Sequence, residues 1–160
     1  MNNRVAFITG ASRGIGRACA QALSLAGARV ILAARNREKL DELAAEIRAG
    51  GREAYVIDID LSSPSSIKHA FAKAHSEFGI TEVLVNNAGM TKDGLAVRMK
   101  QEDWQAVLDT NLTGAFLCTQ AAARHMIARG GGGRVVFITS LAENVTGPQQ
   151  VDYGASKAGM

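Results

Sequence analysis

Short runs of almost wholly apolar residues alternate along the chain with longer stretches whose apolar positions recur every three or four residues. The short runs are "RVAFIT" (4–9), "ARVILAA" (28–34), "EAYVIDI" (53–59), "TEVLVNNAG" (81–89) and "GGGGRVVFITS" (130–140), the last entered through a glycine loop. Each predicts a buried strand. Between them, "GIGRACAQALSLAG" (14–27) carries small and apolar residues at helical spacing and closes on Gly27. "NREKLDELAAEIRAGG" (36–51) sets Leu40, Leu43, Ala44 and Ile47 on one helical face. "SSPSSIKHAFAKAHSEFG" (62–79) offers serine caps, a proline in the first turn and a stripe of Ile67, Phe71 and Ala74. A long helix is predicted from about Gln101 to Arg129, and another begins near Tyr153.

Apolar strands separated by helices predict an α/β fold: a parallel sheet covered on both faces. Right-handed crossovers make that sheet doubly wound and Rossmann-like, with about five strands. The 160 residues suffice for one domain with a sound core, and the chain shows no repeat, low-complexity tract or charge block.

Composition narrows the partners. The chain is 47% hydrophobic and 21% charged, as expected of a soluble globular protein. Its net charge of +3 is spread along the sequence, which favours an anionic small molecule or an acidic partner over nucleic acid. The start "MNNRVAFITG" does not read as a signal peptide, and no apolar run approaches a membrane span. The expected location is the cytoplasm, with no membrane partner. Cys19 and Cys118 fall in predicted helices and read as small hydrophobes. His69, His75 and His125 lack metal-ligand spacing, so no metal is expected.

The seventeen glycines include a purposeful group. In "TGASRGIG" (9–16), Gly10, Gly14 and Gly16 stand between a strand and a helix, where free N–H groups and the helix dipole attract phosphate. The spacing G-x-x-x-G-x-G differs from the commoner G-x-G-x-x-G. Gly10, Ser12, Arg13, Gly14, Ile15 and Gly16 are the expected cofactor contacts. An NAD site usually places a carboxylate after the second strand. Here "LAARNR" supplies Ala34 and Arg35 instead, and two guanidiniums, Arg13 and Arg35, suit a 2′-phosphate. NADP(H) is the expected cofactor, and residues 1–160 are expected to form one dinucleotide-binding domain.

Near the other end, "YGASK" spaces Tyr153 and Lys157 four residues apart, on one helical face. With "TGASRGIG", "NNAG" (86–89), Asn111, Ser140 and "YGASK", the chain resembles the short-chain dehydrogenase/reductase family over essentially its whole length. The stretch "NNAGMTKDGLAVRMKQEDWQAVLDTNLTGAFL" is most similar to the branch of 3-oxoacyl-[acyl-carrier-protein] reductases, which reduce a 3-keto group with NADPH in fatty acid biosynthesis. The resemblance implies that Tyr153 protonates the carbonyl oxygen and that Lys157 favours the phenolate and holds the nicotinamide ribose. It implies that Ser140 hydrogen-bonds the substrate carbonyl and that Asn111 anchors a water leading from Lys157 to solvent. Asn87, Ala88 and Gly89 would pack beside the adenosine, and Asp60 with Leu61 would contact the adenine.

Two features depart from that branch. "GGGG" follows Arg124 and Arg129, where the branch carries basic residues for its acidic carrier, and "SLAENVTGPQQVDY" brings Glu143 close to the substrate mouth. Another ketone or secondary alcohol therefore stands beside the acyl thioester as substrate, and the acyl carrier protein as one candidate partner. Family members also continue past this point with further strands and a substrate-binding segment. The expectation is a domain incomplete at its C-terminal end, with an exposed apolar edge on the fifth strand. A reductase working as a homo-oligomer and an inactive NADP-binding module both follow as readings, and a normal tetramer is not expected.

Overall fold

Alternate residues of the central strand serve opposite cores. In the computed structural model, which describes residues 1, 3–145 and 147–160, β1 (Val5–Thr9) is buried throughout. Val5 and Phe7 join one apolar cluster, Ala6 and Ile8 the other. Asn2 and Thr146 lie outside the described residues; they fall in the N-terminal stretch and in the segment between Ser140 and Tyr153.

The chain continues through α1 (Gly14–Leu25), β2 (Arg29–Ala34), α2 (Arg37–Ala49), β3 (Ala54–Asp58), α3 (Pro64–Phe78) and β4 (Val83–Asn86). Then follow α4 (Gln101–Leu108), α5 (Gly114–Ala128), β5 (Arg134–Phe137) and α6 (Val151–Gly159). All strand pairs are parallel, in the order β3-β2-β1-β4-β5. The strand order reverses between β1 and β4, so the crevice at their carboxyl ends is where such a sheet takes a ligand.

The helices cover both faces because their apolar periods match the sheet. Leu40, Leu43, Ala44 and Ile47 of α2 pack with Ala20 of α1 on one side. Ile67, Phe71 and Ala74 of α3 pack with Cys118, Ala122 and Met126 of α5 on the other. Phe71 stacks on Phe7 with ring centroids 4.4 Å apart. The caps match the sequence too: Asn36 accepts from Lys39 N at 3.0 Å, and Ser63 accepts from Ser66 N ahead of a first turn that contains Pro64. Among the described residues no helix is long and apolar enough to cross a membrane.

Two expectations need correction. The long helix runs unbroken over residues 101–128 but not as one regular α-helix: a π turn over Asp109–Thr113 joins α4 to α5. Its cause is tertiary, since it turns Asn111 wholly inward and lets Gly114 pass so close to Leu61 that a Cβ there would sit 2.7 Å from the Leu61 carbonyl oxygen. The fifth strand is also shorter than predicted and stops at Phe137. It ends level with β4, Phe137 pairing with Asn86, and Ser140 lies three residues beyond it, capping a short 3-10 turn (Leu141–Glu143).

Candidate active site

The glycine loop leaves β1 and enters α1 with little room to spare. Gly10 has φ 67° and Gly14 φ 55°, values that side-chain-bearing residues avoid. A Cβ on Gly16 would lie 2.3 Å from the Gly10 carbonyl oxygen and 2.4 Å from Asn87 Nδ2. The loop is tied across the crevice through Thr9 at its root, which is fully buried. Thr9 Oγ1 donates to the Val85 carbonyl at 3.2 Å and accepts the N–H groups of Asn87 and Ala88 at 3.0 and 3.1 Å. Asn87 Nδ2 returns a bond to the Thr9 carbonyl at 2.9 Å. Thus Gly10 meets Asn87 and Ala88 directly, and Gly16 meets Asn87.

The start of α1 is uncapped. Arg13 occupies the N-cap position without a side-chain cap bond, the first turn contains no acid, and Ile15 is 59% exposed there. Ser12 is half-buried in the same turn. Such a terminus presents unpaired N–H groups to an anion. Arg13 and Arg35 are both exposed, and neither forms an ion pair among the described residues. They leave neighbouring parallel strands, since Thr9 pairs with Ala33. The carboxylate opposite Ala34 on β3 is Asp58, and its Oδ2 is bound by Arg37 at 3.3 Å. Asp60 accepts from the hydroxyl and N–H of Ser62, which hold its carboxyl below the usual range, and the charge of Arg35 acts the same way. Leu61 is buried under the same wall and belongs to the core.

At the other end of the crevice the polar groups interlock. Asn111 Oδ1 accepts from Met90 N at 2.8 Å, and Nδ2 donates to the Met90 carbonyl at 2.9 Å and to Ser156 Oγ at 3.0 Å. Ser156 Oγ in turn donates to the Tyr153 carbonyl at 2.8 Å. Both amide hydrogens of Asn111 are therefore engaged, so a water leading from Lys157 would be held by the remaining Oδ1 lone pair or by the backbone. Lys157 is 3% exposed and donates to the Ile138 carbonyl at 2.7 Å. Burial holds its ammonium below the usual lysine range. Its Nζ sits 5.7 Å from the centroid of the Tyr153 ring, and a Cβ on Gly89 would approach it to 3.7 Å.

Ser140 is half-buried. Its Oγ accepts from Ala142 N at 3.2 Å, which leaves the hydroxyl proton for another acceptor. The turn it caps packs on α6, and Leu141 and Val145 beside it are 87% and 80% exposed. Glu143 is exposed between them.

Several residues of this architecture escaped the sequence reading. Thr9 stands one residue before the glycines and Ser156 inside "YGASK", but neither shows by type alone that its hydroxyl ties two loops together. Met90 meets Asn111 through its backbone atoms, a role that leaves no mark in the side-chain pattern, while its sulfur accepts from Thr110 Oγ1 at 3.5 Å. Cys19 and Cys118 are free, as expected, with Cys118 fully buried and its thiol pushed up to about 12 by burial.

With this geometry in view, the likeness to known proteins is specific. A family model described as short chain dehydrogenase matches residues 4–160. A 3-oxoacyl-[acyl-carrier-protein] reductase from Synechocystis sp. is 44% identical over 158 residues, covering 98% of this chain and 64% of that protein. The enzyme of the same name from Staphylococcus epidermidis is 40% identical over 159 residues, 99% of this chain and 65% of its own length. The chain thus spans a little under two thirds of these curated relatives. Among solved structures, a gluconate 5-dehydrogenase from Burkholderia cenocepacia J2315 in complex with NADP and tartrate superposes with a TM-score of 0.93 at 35% identity. That match covers 99% of this chain and 62% of the other. A putative short-chain alcohol dehydrogenase from Sinorhizobium meliloti 1021 superposes with a TM-score of 0.94 at 40% identity, over 99% of this chain and 63% of that one.

Proposed function

The chain belongs to the short chain dehydrogenase family, and from that footing we propose that it serves NADPH-dependent reduction of a 3-oxoacyl thioester, such as a 3-oxoacyl-[acyl-carrier-protein], in fatty acid biosynthesis. The observation that carries the reading is the approach of Gly89 and the Ile138 carbonyl to Lys157, on the same helix as Tyr153, with Asn111 bound to the intervening Ser156. Residues 1–160 act as one dinucleotide-binding domain, soluble and cytoplasmic.

The residues around the crevice fit the dinucleotide. The uncapped α1 terminus and the cradle that a Cβ would fill at Gly10 and Gly16 suit the pyrophosphate, and the unpaired Arg13 and Arg35 suit a 2′-phosphate. Asp60, Leu61, Asn87 and Ala88 border the adenosine side. NADPH held by these residues would supply the hydride for the carbonyl carbon. Tyr153 gives its hydroxyl proton to the carbonyl oxygen, so that C=O becomes CH–OH with atoms and charge balanced. Ser140 directs its free hydroxyl proton at the same oxygen and stabilises the charge that develops there. Lys157 keeps two N–H donors beyond its bond to Ile138, enough to hold ribose hydroxyls and to favour the phenolate. Asn111 and Ser156 fix the helix that presents both groups.

Leu141 and Val145 give the mouth an apolar border suited to an acyl chain. Glu143 between them favours the second reading, a polar ketone or secondary alcohol, and the likeness to gluconate dehydrogenases points the same way. The test is NADPH oxidation with an acetoacetyl thioester and with a polar ketone, each beside Tyr153→Phe. Turnover of the thioester that falls on the order of 10²–10⁴-fold in the variant is expected. A variant that keeps the parent rate removes Tyr153 from the mechanism. Preference for the polar ketone replaces the acyl substrate.

A further inference from the structure

Helices α3 and α5 lie side by side, and along their outer seam runs a groove of about 320 Å³ that shares no residue with the nucleotide loop or the catalytic helix. That volume is at the low end of small-ligand sites. Ile67, Phe71 and Leu117 give it an apolar floor, and Lys68, Arg124 and His125 stand around it. No acidic residue lines it. Lys68 and Arg124 are exposed, and neither has an ion pair among the described residues.

Cations gathered at one mouth without a carboxylate repel each other and are stabilised by an anion between them. An apolar floor under that mouth adds a separate requirement, a short hydrocarbon body attached to the charge. We propose that the α3–α5 groove binds a small amphipathic anion, its tail on Ile67, Phe71 and Leu117 and its carboxylate or phosphate head against Lys68 and Arg124. A hydrophilic anion would leave the floor unused, and a neutral apolar molecule would leave the cations unbalanced.

His125 provides an internal reporter. Its ring stacks on His75 of α3 with centroids 4.2 Å apart and planes 17° from parallel. Burial and the charge of His75 hold its pKa down. An anion at the mouth acts in the opposite direction and draws that value up.

The experiment titrates the full chain at fixed pH and ionic strength while NMR follows the His125 ring and the Leu117 methyl groups. Octanoate and octyl phosphate are the probes; octylamine keeps the tail and reverses the charge, and acetate keeps the head and drops the tail. Saturable shifts with either anionic probe are expected, the tighter one identifying the head, with little response to octylamine or acetate. Each buried methylene should add roughly fourfold in affinity, so hexanoate should bind more weakly than octanoate. The double variant Lys68→Ala/Arg124→Ala, altered only at exposed positions, should weaken binding at least tenfold. Octylamine acting as strongly as octanoate, or unchanged affinity in the double variant, overturns the proposal. So does the absence of any response to both anionic probes.

Discussion

The two halves of the crevice are built differently. At the nucleotide end, the strands beneath the glycine loop are sealed in apolar side chains: every residue of β1 is buried, as are the four central residues of β2. At the catalytic end, three of the four residues of β5 are exposed, including Val136 and Phe137 on the sheet edge. There polar links tie α6 down, from Asn111 to Ser156 and from Lys157 to the Ile138 carbonyl. Apolar burial is non-directional and adds up over many atoms, whereas a buried polar link fails when one partner is removed. The nucleotide end should therefore be the stiffer and the catalytic end the more easily uncoupled.

The largest effect should come from crowding the stiff end. In Gly16→Val the new Cβ meets the Gly10 carbonyl oxygen, a backbone atom that cannot rotate away, together with Asn87 Nδ2. Overpacking of this kind costs about 1–3 kcal/mol or more, and the loop can relax only by abandoning its shape. NADPH affinity should drop on the order of 100-fold, measured by fluorescence titration, alongside a lower urea midpoint. Unchanged affinity in a folded variant would mean that the pyrophosphate does not use this loop.

A smaller and more local effect should follow at the other end. Asn111→Ala removes three hydrogen bonds and strands the Met90 N–H, a part-buried donor. The expected cost is about 1–2 kcal/mol, in the lower part of the roughly 1–3 kcal/mol of a stranded buried polar group, because Met90 is only half-buried. Hydrogen exchange should speed up in α6 and in the loop around Met90 and leave β1 and β2 as protected as before. Equal acceleration in both regions would erase the distinction between the two halves.

That same division decides what could be read from the sequence. Strands and helices built on burial announce themselves by period, as Leu40, Leu43, Ala44 and Ile47 do, all of them buried. The glycine loop is legible because a close backbone approach admits little else at Gly10 and Gly16. The polar end is not legible in this way. The π turn depends on the backbone of Met90, twenty-one residues before Asn111, receiving an amide side chain. The His75–His125 stack joins residues fifty positions apart that single-chain periodicity treats as unrelated surface groups. β5 ends level with β4, where Phe137 pairs with Asn86, a register set by the neighbouring strand rather than by "GRVVFITS". The family resemblance supplied Ser140, Asn111, Tyr153 and Lys157, but the links among them became visible only in three dimensions.

The smallest effect separates charge from anchorage at Lys157. In the folded chain its pKa lies below the ordinary 10.5, because burial disfavours the ammonium. Between that lowered value and 10.5 the unfolded chain binds more protons than the folded one, so stability rises with pH across the window. Below the lowered value the whole penalty of burying the charge is present, and above 10.5 it has vanished. Lys157→Met deletes this contribution together with the bond to the Ile138 carbonyl. The two losses have opposite signs, which is why the net change near neutral pH should be slight. The expected signature is in slope: urea midpoints of the parent should climb from neutral pH towards 10 relative to those of the variant. Parallel curves would mean that the ammonium is held at no electrostatic cost. The weaker hold on α6 would then lie in its polar links, and not in the charge buried beneath it.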